Sequence, residues 1–94
     1  MNFDTLRIKY KPAIMEILRS YNIDDIKVFC SVARNEKYTK DLDLLITTGK
    51  GLGLKIVSIE QKLSDIVGMP VQLLTEKGLN PLIKDRILHE AKPL

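Results

Sequence analysis

The chain has one cysteine and one histidine among its 94 residues. A single thiol closes no internal disulfide, which fits a reducing cytoplasm without requiring it. His89 stands next to Glu90 with no second His or Cys at ligand spacing, so it reads as a surface residue rather than part of a zinc-type centre. Aromatic residues are 5% of the chain, too few to supply the stacking platforms of single-strand nucleic-acid binders. No long apolar run exists, and Met1-Asn2-Phe3-Asp4 leads into a charged amphipathic pattern instead of a signal peptide. Charge of one sign is nowhere concentrated: the net charge is +3, with lysines spread through every segment. That distribution serves solubility first and attraction to nucleotides or acidic partners second. The expectation is a cytoplasmic protein away from membranes, with nucleic acid disfavoured as a partner.

What is present is an ordinary globular balance, 45% hydrophobic and 29% charged, enough for one domain over residues 1–94 with a modest core. Phe3, Leu6, Tyr10, Ile14, Ile17, Leu18 and Tyr21 recur at three- and four-residue steps, the stripe of an amphipathic helix. Asp4 is the expected cap, and Pro12 should kink or interrupt that helix. Strands are expected at Ile26–Phe29, Asp41–Thr47 and Val71–Thr75. Between the last two, Ile56, Ile59, Leu63 and Ile66 mark a helix ending at Gly68, with Lys55, Glu60, Gln61, Lys62 and Asp65 on a solvated face. Asn80-Pro81 should start a closing helix with Ile83, Ile87 and Ala91 on one stripe. Thr48-Gly49-Lys50-Gly51-Leu52-Gly53 invites a phosphate-loop reading, but neither the P-loop nor the dinucleotide spacing is met, leaving a connection. The elements describe a small α/β (α+β) domain with a mixed three- to four-stranded sheet and helices mainly on one face.

The second strand carries the chemistry. Period-two alternation places Leu42, Leu44 and Ile46 on one face and Asp41 and Asp43 on the other, the two carboxylates about 7 Å apart at Cα. Such a pair repels itself unless a cation lies between, and oxygen ligands suit a hard ion such as Mg²⁺. A solvent-facing strand whose polar positions are Asp would give the same pattern, although Asp is depleted in strands. Ser31 follows the first strand directly, where its hydroxyl and the following N–H groups can meet a phosphate. Arg34 can meet a triphosphate or pair with Glu36.

Taken in order, Phe29, Ser31, Ala33, Arg34, Glu36, Asp41, Asp43, Leu44 and Leu45 resemble the motif of the minimal nucleotidyltransferase family. These are small relatives of DNA polymerase beta that serve as antitoxins of HEPN toxins; their pattern is Phe-Gly-Ser-x-Ala-Arg-Gly-Glu followed by Ser-Asp-x-Asp-Leu-Leu-Val. The resemblance spans nearly the whole chain. It implies a nucleotidyltransferase-like fold, Asp41 and Asp43 as catalytic metal ligands, and Ser31 and Arg34, with Cys30, at the nucleotide. It also implies Mg²⁺ as cofactor, ATP as substrate and a HEPN-type toxin as partner, whose hydroxyl would receive AMP. The chain departs from the pattern at three places. Cys30 replaces the glycine before Ser31, where a Cβ obstructs close approach to phosphate. The Ser31–Asp41 spacing is one residue short. Gln72 stands where a third carboxylate is often found, and a neutral amide binds Mg²⁺ poorly and cannot act as a carboxylate base. Two functions follow as expectations: AMP transfer by a weakened site lined also by Gln72 and Glu36, or neutralisation of the toxin by binding alone. A chain this short must draw acceptor specificity from a partner or from homo-oligomerisation.

Overall fold

The computed structural model describes residues 2–29, 40–47 and 51–94. Its first helix starts two residues earlier than Asp4 suggests: Asn2, in extended backbone, accepts a hydrogen bond from the Thr5 N–H at 2.8 Å. A cap must precede the helical residues, and Asp4 already lies in the first turn, where its charge suits the helix dipole instead. Helix α1 (Phe3–Thr5) runs into a π-helical turn (Leu6–Tyr10) and then α2 (Lys11–Ser20), with Pro12 in the first turn of α2. Proline has no N–H for the carbonyl one turn back, so the ladder changes register just before it. The interruption expected at Pro12 is therefore a wide turn.

Helix α2 ends in a Schellman closure. Asn22 sits at φ 62, and the N–H groups of Asn22 and Ile23 donate back to Arg19 and Leu18 at 3.0 and 2.9 Å. Asn tolerates this left-handed position, and Ile23 turns back into the core. Tyr21 is half-buried as expected, its hydroxyl taking a hydrogen bond from the Lys62 ammonium at 2.7 Å.

The strands are β1 (Lys27–Phe29), β2 (Leu42–Ile46), β3 (Val71–Thr75) and β4 (Lys92–Pro93), in spatial order β3-β2-β1-β4. β1 is antiparallel to both its neighbours, whereas β2 and β3 are parallel and joined through α3 (Lys55–Val67). A parallel pair needs such a crossover. Gly68, at φ 74, ends α3 with its N–H on the Ser64 carbonyl at 2.8 Å. A 3₁₀ turn (Glu76–Gly78) follows β3 and leads to α4 (Pro81–Glu90), whose cap Asn80 accepts from the Leu82 N–H at 2.9 Å. The sequence leaves the strand count open between three and four; the fourth strand is the short β4, and the Leu94 N–H continues its edge to the Ile26 carbonyl at 3.0 Å.

Alternation along the strands divides the core. Val28, Leu42, Leu44, Ile46 and Leu73 join Leu6, Ile14, Leu18, Ile59 and Leu63 in the larger cluster, beneath α2 and α3. Each such side chain contributes about 1.5–3 kcal/mol by leaving water. Phe29, Leu45 and, in part, Leu74 point to the other face, where Leu79 and Ile87 cover them. Three apolar side chains on that face require a cover, so the face expected to stay open is partly roofed by α4. The roof uses Leu79, Ile87, Leu88 and Ala91; Ile83, expected on the buried stripe, is 46% exposed. Glu60, expected in solvent, is half-buried, and its Oε2 accepts from the Leu73 N–H at 2.8 Å.

Candidate functional site

The ladder fixes the position of Asp43. It pairs in register with Phe29 on β1 and with Gln72 on β3, and register partners on neighbouring strands project from the same face. That face is the one α4 partly covers, because Phe29 and Leu45 flank Asp43 on it and belong to the smaller core. Asp43 is half-buried and Gln72 exposed. Asp41 comes one residue before β2 begins and is exposed. The expected second strand thus starts at Leu42, whose N–H donates to the Pro70 carbonyl at 2.9 Å. This contact ties the start of β2 to the start of β3 and brings Asp41, Asp43 and Gln72 to one end of the sheet.

The chain leaves the sheet after Phe29 and re-enters it at Leu42 at that same end, since β1 and β2 are antiparallel with Phe29 opposite Asp43. Cys30, Ser31, Arg34 and Glu36 lie outside the described residues. Gln72 was singled out in the sequence as standing where a carboxylate is often found, and it is the residue beside Asp43. Among the described residues, no three of His, Cys, Asp and Glu gather as a metal cluster. The donor set described here is two aspartates separated by one residue, next to a neutral amide. Carboxylate oxygens are the ligands a hard divalent cation selects, and an amide oxygen can add a weak one. Chemically, such a donor set suits one hard divalent cation.

Among the described residues, open grooves lie elsewhere on the molecule, without Asp43 in their lining. One of about 250 Å³ is lined by Val57, Glu60, Gln61, Ser64, Pro70 and Val71, beside the β3 edge. Another of about 340 Å³ runs along the β4 side, between Lys11, Met15, Arg19, Asp24 and Leu94. Sequence reasoning missed one contributor to this end of the molecule. Leu79 joins Ile87, which was expected on the stripe of the closing helix, in the roof next to Phe29, and only the observation that Phe29, Leu45 and Leu74 share a strand face could have pointed to it.

Residues 12–94 match the nucleotidyltransferase domain family. A relative from Methanocaldococcus jannaschii, provisionally named a protein adenylyltransferase, is 38% identical over 93 residues, covering 97% of this chain and 96% of its own length. A solved structure provisionally described as a minimal nucleotidyltransferase superposes with a TM-score of 0.80 at 32% identity, over 100% of this chain and 97% of that one. A toxin–antitoxin crystal structure with AMP-PNP shares the fold, with a TM-score of 0.75 at 17% identity over 89% of this chain and 71% of that one.

Proposed function

Because the chain belongs to the nucleotidyltransferase domain family, we propose that it transfers AMP from ATP to a protein hydroxyl and serves as the antitoxin of a HEPN-type toxin in the cytoplasm. The observation that carries this reading is the register of Asp43 beside Phe29 and Gln72, with Asp41 two residues before it at the same end of the sheet. The name of the adenylyltransferase relative supports AMP as the group moved, and the AMP-PNP-bound toxin–antitoxin structure supports a nucleotide and a toxin partner.

In this reading Asp41 and Asp43 hold Mg²⁺ through carboxylate oxygens, while Ser31 and Arg34, with the backbone at Cys30, take the triphosphate. When bound, the ion supplies positive charge at the α-phosphate. The acceptor oxygen bonds to the α-phosphorus while the bond to the leaving pyrophosphate breaks. Asp43, on the inner strand β2, is the fixed member of the pair: its own backbone groups turn toward Phe29 on β1, and those of Leu42 and Leu44 on either side of it turn toward β3. Asp41, outside the ladder, is the adjustable one. Gln72 accepts no proton at neutral pH, so the acceptor's proton leaves by another route.

Gln72 favours a second reading, an antitoxin that neutralises its toxin by binding alone. A transfer assay with α-labelled ATP, Mg²⁺ and a HEPN-type partner separates the two. Label on the partner is expected, with Asp43→Asn lowering the rate about 100-fold or more while the complex stays intact. A stable complex with no label in the wild type would leave the binding-only reading.

A further inference from the structure

The sheet has two unlike edges. β4 is two residues long and includes Pro93, which has no donor to offer. β3 has five residues, and its outward side is a template for another strand. Alternation directs the N–H and C=O groups of Gln72 and Leu74 toward β2 and those of Val71, Leu73 and Thr75 outward. Leu73 is at the centre of that row, and its N–H is already taken by the Glu60 carboxylate at 2.8 Å. Solvent alone could satisfy an edge N–H. The chain instead sends a half-buried carboxylate from α3 across the groove to it.

The β3 edge is self-complementary about Leu73. Antiparallel pairing with a second β3 would oppose Val71 to Thr75, Leu73 to Leu73 and Thr75 to Val71, each a hydrogen-bonded pair. The partner's Leu73 carbonyl would then need the place that Glu60 Oε2 occupies. The two carboxylates would also face each other across the symmetry axis, and like charges so placed repel. We propose that Glu60 is a plug on a latent self-association surface, holding the β3 edge closed against the β3 of a second copy of this chain.

Sedimentation of the full chain across a dilution series, together with amide exchange read at Val71, Leu73 and Thr75, tests this. The wild type is expected as a monomer of 10.7 kDa. Glu60→Ala should form a concentration-dependent dimer in which the Val71 and Thr75 amides exchange about tenfold or more slowly than in its dilute form. Glu60→Gln, whose amide oxygen still accepts from Leu73, should remain monomeric. Should Glu60→Ala fail to fold, Glu60→Asp, one methylene too short to reach, carries the same expectation. The proposal is overturned if the folded Ala variant stays monomeric, if its dimer leaves the β3 amides unprotected, if Glu60→Gln dimerises equally, or if the wild type already pairs through β3.

Discussion

Gln72 and Asp43 form the pair on which the residue-scale chemistry turns. Their register sets an amide beside Asp43, where the proposed site would take a third carboxylate. Gln72→Asp should therefore raise Mg²⁺ affinity about tenfold, measured by titration calorimetry. The same change should lower the melting temperature of the metal-free protein, because three carboxylates then share one end of the sheet, and added Mg²⁺ should restore it. Unchanged affinity and melting would place the cation elsewhere. The aspartate pair was legible in the sequence because strand alternation alone sets the spacing of two residues. That Gln72 neighbours Asp43 depends on which strands pair and in which register, and only the family resemblance suggested it. The expected phosphate-binding residues Cys30, Ser31 and Arg34, and the site-lining Glu36, lie outside the described residues.

The ends of the helices are where single substitutions should be most readable at the element scale. Gly68 ends α3 at φ 74, and a Cβ there would meet nothing within 4 Å. Gly68→Ala should thus cost only backbone strain, about 1 kcal/mol in urea unfolding. Removal of the α4 cap by Asn80→Ala should cost a similar amount, about 1 kcal/mol, by leaving the Leu82 N–H without its side-chain acceptor. β3, the stop of α3 and the start of α4 were legible because local chemistry specifies each: alternation, a glycine, and an Asn-Pro pair. The start of α1 was misread because Asn2 and Asp4 are both good caps, and the choice depends on where the apolar stripe meets the core. β4 carries no periodic signal in two residues. The Glu60 contact joins residues 13 apart in sequence and follows from how α3 lies along the sheet.

For the whole molecule, the larger core is closed from the far end of the chain by Leu94, which is buried against Ile26 and its neighbours at 6% exposure. Leu94→Ala should destabilise the protein by about 2–3 kcal/mol in denaturant unfolding, and a value near zero would mean that this segment is not part of the core. The sheet with helices mainly on one face was legible in outline, and Ile87 with it from the stripe of its helix, whereas Leu79, which lies just before that helix and belongs to no period, was not, and so neither was the roof over Phe29. The pairing of β1 with β4 also has a consequence in time. β2, α3 and β3 follow one another along the chain and can assemble as soon as they leave the ribosome, but β1 waits for Lys92 to Leu94 before its second edge is sealed. A nascent chain stalled before residue 92 would present that unpaired edge to any strand nearby, so during synthesis β1, rather than the plugged β3, is the exposed side of the sheet.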